Sequence, residues 1–209
     1  MNTDRQPPAD PHRIELSYTH RHDLFDDADD PEIWHVRADT YTDDNDEPDC
    51  HVADLELVLI DPYRTSDAFV VLDSHDADLG LIAATVLDPT TGGLNPGLEA
   101  GLEPHGSRLV VLHDVQLHPE WRGFGIGVLL AGLAIKRLSG GCQAALCYPA
   151  PLDWPEDADP AQWQAAVAAL SHLWSQLGFE HFRNGVHVLD LALVTLDEAV
   201  QRLQQRLER

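Results

Sequence analysis

The stretch His118 to Val128 constrains this chain more than any other: it reads HPEWRGFGIGV and places glycine at 123, 125 and 127. Before it, residues 108–117 open on the apolar run Leu109-Val110-Val111-Leu112, a strand pattern that Pro119 stops. After it, residues 125–138 are rich in Leu, Ala and Ile. They close with Lys136 and Arg137 and run into Gly140-Gly141, the signals of a buried helix and its C-terminus. The chain must therefore pass from strand to helix through a turn whose glycines tolerate positive φ and let another group approach the backbone closely. The free N–H groups of the first helical turn point out of that junction.

The rest of the chain supplies the layers around it. Period-two alternation through Ile14, Leu16 and Tyr18 predicts a strand over 13–19, and further strands are expected over 33–41 and 52–60. From 66 to 87 the apolar positions Phe69, Leu72, Leu79, Ile82, Ala83 and Val86 recur at helical spacing, as one helix or two short ones. Residues 88–107 hold eight glycines and prolines and read as a long loop, of the kind that is usually functional or disordered. A strand over 143–148 leads into an acidic, proline-rich loop, 149–160, that contains Trp154. Asp159-Pro160 opens a helix over 161–177 with Trp163, Ala166, Val167, Leu170, Trp174 and Leu177 on its apolar face. Asn184-Gly185 predicts a tight hairpin between 179–183 and 186–194. Thr195 and Glu198 have capping-box spacing for a last helix, whose stripe Leu196, Val200, Leu203 and Leu207 needs a partner surface in this chain or in another copy. The expected organisation is a loose tail, 1–12, one domain over 13–194 and a C-terminal helix, 195–209.

Charge narrows the function. Thirteen Lys and Arg against 36 Asp and Glu give a net charge of −23, which repels nucleic-acid phosphates and anionic lipid headgroups. No apolar run reaches the roughly 18 residues of a membrane span, and the polar start does not read as a signal peptide, so a cytoplasmic protein is expected. Cys50, Cys142 and Cys147 are odd in number and lack CxxC spacing, which predicts neither a disulfide framework nor a zinc site. His20 and His22 lack an evident third ligand and read as surface histidines. Against this acidic background residues 121–152 carry no Asp or Glu but do carry Arg122, Lys136 and Arg137. An anion is therefore expected at the glycine turn.

The spacing GxGxG, with no acidic residue about twenty positions downstream, argues against a dinucleotide site, and the absence of GK[ST] excludes a P-loop. Arg122, Gly125 and Gly127, following Val115-Gln116-Leu117, instead resemble the acyl-CoA signature [Q/R]xxGx[G/A] of the GNAT N-acetyltransferase superfamily. Leu177-Gly178-Phe179, leaving a helix for a hairpin, is similar to that family's second landmark. The resemblance covers roughly 108–194. It implies a mixed α+β fold: a mainly antiparallel sheet, splayed where the motif strand meets its parallel neighbour, with helices on both faces. In the family a helical pair usually follows the first strand, whereas the helical stretch here stands just before the motif strand. Either the early strands divide differently or the amino-terminal half is a variant.

The resemblance further implies acetyl-CoA, or another form of acyl-coenzyme A, as co-substrate. It would lie in the splay along Val115, Gln116 and Leu117, with its pyrophosphate on the backbone of Arg122, Gly123, Phe124, Gly125, Ile126, Gly127 and Val128, and with Trp174 nearby. The implied reaction is direct attack of a primary amine, in a small molecule or peptide, on the acyl thioester; family habit also implies a homodimer. An alkylamine of pKa about 10.4 must lose a proton at a cost of roughly 4–5 kcal/mol, whereas a thiolate of pKa about 8.5 needs only about 2 kcal/mol of help in leaving. A base therefore matters more than an acid. On the motif strand the titratable candidates are His113 and Asp114, which alternation sends to opposite faces unless a bulge intervenes. The family's usual acid tyrosine falls at Trp174, which is no useful acid; Tyr148 and Ser175 are the alternatives. The acidic surface would steer cationic acceptors.

Overall fold

In the computed structural model, which describes residues 6–22, 24, 30–42, 47–152 and 159–208, one mixed sheet carries every described strand. Its strands are β1 (Ile14–His20), β2 (Glu32–Thr40), β3 (Cys50–Ile60), β4 (Arg108–Leu117), β5 (Cys142–Cys147), β6 (Glu180–Arg183) and β7 (Val186–Asp190). The order across the sheet is β1-β2-β3-β4-β5-β7-β6, and every pair is antiparallel except β4 with β5. The helices are α1 (Ala68–His75), α2 (Ala77–Val86), α3 (Pro96–Glu99), α4 (Ile126–Leu138), α5 (Pro160–Ser175) and α6 (Thr195–Leu207). The fold is thus the mixed α+β arrangement expected, with helices on both faces.

Two apolar layers explain the unbroken hydrophobic runs of the central strands. Leu109 and Val111 of β4 pack with α1, α2 and α3 on one face, while Val110 and Leu112 pack with α4 and α6 on the other. A strand covered on both sides has no polar position to alternate with. β1 has only one covered face, and there Ile14, Leu16 and Tyr18 alternate with exposed residues.

The early strands divide as the sequence pattern predicts: three antiparallel strands precede the helical pair. That pair is two helices, because Asp76 adopts an extended conformation (φ −156°) that ends α1 and caps α2 through the Asp78 N–H at 2.7 Å. The expected long loop, 88–107, is ordered and packed. Asp88 accepts from the Thr90 and Thr91 N–H groups, Asn95 caps α3, and Leu94 and Leu98 are buried against the sheet. Local Asx chemistry supplies the backbone partners that a glycine-rich and proline-rich composition conceals.

The tail is also shorter than expected. Asp10 caps a 3-10 turn at Pro11–Arg13, and Ala9 lies against the core, while residues 1–5 fall outside the described residues. At α6 the capping box does not form. Thr195 is already helical, and its side chain fills the space where Gly178 has no Cβ. The stripe Leu196, Val200 and Leu203 is buried in this chain, against α4, where Gly132 leaves room for Val200 and Leu177. The basis for a second copy at that helix is therefore removed. As predicted, Asn184 (φ 51°) and Gly185 (φ 80°) form the β6–β7 turn, and Asp159 caps α5.

Candidate functional site

The site begins where two parallel strands part. β4 and β5 are paired from Arg108–Cys142 to Leu112–Cys147; β5 then ends, and Pro149 and Pro151 follow. Proline cannot donate to a ladder, so the chain turns away. β4 continues to Leu117 beside β3 alone, leaving an open strand edge from His113 onward. A cleft of about 830 Å³ occupies the gap. Its walls are β4, the glycine turn, the segment 147–152 and one face of α5.

The turn that closes one end of this cleft is anchored by Trp121, which is fully buried. The N–H groups of Trp121 and Arg122 bond back to His118 and Pro119, so these two are not available to a ligand. Gly123 (φ 90°) and Gly125 (φ 77°) follow in left-handed conformations, and a Cβ on either would meet nothing within 4 Å. Gly125 is the N-cap of α4 and offers no side chain to its first turn. No side chain caps that turn, which borders the cleft at Gly125, Gly127 and Val128, and the helix dipole adds a partial positive charge there. Arg122 lines the same end, its Nε donating to the Leu117 carbonyl at 3.0 Å.

Most of the predicted site residues come together. His113, Val115, Gln116, Leu117, Arg122, Gly123, Gly125, Gly127, Val128, Tyr148 and Trp174 all line the cleft. Phe124 and Ile126 do not; their side chains pack into the core beneath the turn. Asp114 also stands outside the lining, as does Ser175, whose hydroxyl donates to the His172 carbonyl. The β3–β4 register slips between Glu56 and Leu57, pairing Glu56 with Asp114 and Leu57 with Leu112. His113 is the extra residue of this bulge, which turns it and Leu112 into the cleft together.

His113 has a carboxylate beside each of its ring nitrogens. Its Nδ1 lies 2.9 Å from Glu56 Oε1 and its Nε2 3.2 Å from Asp76 Oδ1. The Glu56 hydrogen bond, opposed by desolvation and helped by Asp76, raises its pKa above the ordinary imidazole value. The same bond, with the nearby imidazoles, lowers the pKa of Glu56. With a carboxylate oxygen beside each ring nitrogen, the surroundings of His113 favour its protonated form, which can donate to both.

Other residues of the cleft were not singled out by the sequence pattern. Cys147 lines it, but burial pushes its thiol far above the range of a working nucleophile. Ala166, Ala169, Leu170 and Leu173 form the wall on α5. Their helical spacing reads equally well as core, yet Trp174 is the one buried residue of that helix. Tyr148 sits against the hairpin turn, where a Cβ on Gly185 would approach its ring to 2.8 Å. Residues 153–158 of the acidic loop, with Trp154, lie outside the described residues. Elsewhere His20 stacks on Trp34 at 5.0 Å, and no cluster of metal-ligating side chains is present among the described residues.

The chain matches no family model, no curated protein and no solved structure. The functional reading therefore stands on this geometry and on the two sequence landmarks. Among the described residues no helix is long and apolar enough to cross a membrane.

Proposed function

We propose that this chain is an acyl-CoA-dependent N-acyltransferase of GNAT type, transferring an acetyl or related acyl group to a primary amine. The observation that carries the reading is the coincidence of an open β4 edge with the uncapped, glycine-rich start of α4 at the end of one cleft. The residues fit coenzyme A. Left-handed glycines without neighbours admit a bulky diphosphate, the N–H groups at the start of α4 would hold it, and the terminal nitrogens of Arg122 add charge. The edge of β4 would pair with the pantetheine amides, and Leu117, Val128, Leu170 and Leu173 would cover its apolar carbons.

The bound thioester supplies an activated acyl carbon; the protein's own part is to position the amine and receive its proton. Tyr148, which lines the cleft, would protonate the leaving sulfur, a step that matters less than the loss of the amine proton. The three cysteines are free, which fits a cytoplasmic setting. A second reading, an acyl-CoA-binding module without turnover, is favoured by one observation: an indole, Trp174, stands where the family places its acid.

Isothermal titration with acetyl-CoA tests the cleft: saturable binding is expected in the native chain and none in Gly125→Asp. Thiol release with a panel of amines then separates transferase from binding module. Binding without release would establish the second reading, and no binding at millimolar acetyl-CoA would remove both.

A further inference from the structure

The sheet has two edges, and they are built differently. The β6 edge is four residues long, its register with β7 shifts between His181 and Arg183, and the Arg183 guanidinium stands beside Gly97 of α3. Short length and a bulge are two ways in which folds keep an edge from pairing with another chain. The β1 edge has neither. Its seven residues pair with β2 without a break from Ile14–Thr40 to His20–Trp34, and they include no proline, glycine or lysine. Among the described residues β2 is its only neighbour in the sheet.

The side chains of β1 suit a further strand. Ile14, Leu16 and Tyr18 lie on the core face yet are only half-buried, having a neighbouring strand on one side alone, while Glu15, Ser17 and Thr19 are exposed on the other face. Residues 11–22 carry Arg13 and Arg21 against Glu15, a net charge of +1 on a chain of −23. Two such edges therefore meet with little local repulsion.

We propose that β1 pairs antiparallel with β1 of a second copy of this chain across a two-fold axis, joining the two seven-stranded sheets into one. The axis keeps each face of the sheet on its own side, so odd residues oppose odd and even oppose even. The register that uses the whole strand sets Ser17 opposite Ser17, Leu16 opposite Tyr18, Glu15 opposite Thr19 and Ile14 opposite His20. Moving the axis to Leu16 or Tyr18 leaves two residues of each strand unmatched. In the Ser17 register no like charges oppose each other within the strand, and Glu15 stands diagonal to Arg21 of the second copy, an offset that long side chains span. The half-covered faces of Leu16 and Tyr18 meet and cover each other. This inference does not rest on the acyltransferase reading, since β2 and β3 separate β1 from β4 and its cleft.

Sedimentation velocity of the full-length chain tests the assembly. A species of twice the 23.1 kDa chain mass, increasingly populated as concentration rises, is expected; a monomer at every concentration up to millimolar overturns the proposal. Cysteine substitutions test the register. Opposed Cβ atoms lie about 4.5–5.5 Å apart, near the span of a disulfide. Ser17→Cys should therefore form a disulfide-linked dimer under mild oxidation, whereas Glu15→Cys and Thr19→Cys should link only when mixed with each other. The native chain, in which Cys50 is partly exposed and Cys142 and Cys147 are buried, is the control and should stay unlinked. If Ser17→Cys links no faster than Glu15→Cys alone, the pairing is wrong. Ser17→Lys sets two like charges at the axis from an exposed position, and should weaken the dimer by about fivefold or more while the circular dichroism of the dilute chain stays the same. A dissociation constant unaltered by Ser17→Lys would place the contact on another face and overturn the assignment.

Discussion

Gly125 and Gly127 are two positions apart and make opposite demands. At Gly125 φ is 77°, and at the N-cap of α4 any side chain would both strain the backbone and project into the cleft. Gly125→Ala should cost about 1–2 kcal/mol of stability from the left-handed conformation alone and weaken acetyl-CoA by a larger factor than its fold suffers. At Gly127 the backbone is helical, and a Cβ would meet Leu117 at 3.7 Å, an ordinary contact. Gly127→Ala should therefore bind acetyl-CoA about as well as the native chain and melt slightly higher, since alanine exceeds glycine by roughly 1 kcal/mol inside a helix. Calorimetry and thermal melts on the pair check both. His113 gives a residue-scale prediction of definite sign. A pKa raised by folding contributes stability that is complete below the ordinary imidazole value of about 6.5. That contribution is lost as pH rises through the folded-state value. Denaturant midpoints from pH 6 upward should accordingly decline in the native chain by a component absent from His113→Gln; parallel curves would refute the favoured protonated form.

The helices divide between those that close the core and those that face the site. α6 buries Leu196, Ala199, Val200 and Leu203 against α4, and Gly132 is small because Val200 and Leu177 stand where its Cβ would be, at 2.9 and 2.8 Å. Gly132→Ala overpacks this contact and should cost about 1–3 kcal/mol. Val200→Asp should lower the melting temperature by an amount that does not depend on protein concentration, because the partner surface lies in the same chain. A concentration-dependent loss would point instead to an intermolecular face. α5 is the contrasting case: its inner face forms a wall of the cleft. Leu170→Asp should thus impair acetyl-CoA binding more than it impairs folding. α1 and α2, joined at Asp76, are tied to the sheet at the bulge through His113.

Across the whole molecule, 36 carboxylates against 13 basic side chains repel one another at neutral pH. Raising salt from about 0.01 M to about 1 M shortens the screening length from roughly 30 Å to 3 Å and should raise the melting temperature. Much of the architecture was legible in the linear pattern, because local causes produce it: Asn184-Gly185 makes its turn through two positive φ values, Asp159 caps α5, and the four apolar residues after Arg108 mark a strand covered on both faces. The glycine turn was legible for the same reason, since only glycine takes up Gly123 and Gly125 without strain. The order in the 88–107 loop was not, because its Asx turns and the burial of Leu94 and Leu98 depend on a sheet face that no local window contains. Nor were the partners of His113, which are Glu56, 57 positions away in sequence, and Asp76 from the helical pair. Sequence alone thus determined the strands and the turns, the glycine turn before α4 among them, which depend on backbone preference over a few residues. The tertiary structure decided which side chains face the cleft, which carboxylates meet His113 and where the Leu196–Leu203 stripe is buried, because each depends on neighbours brought together only by packing.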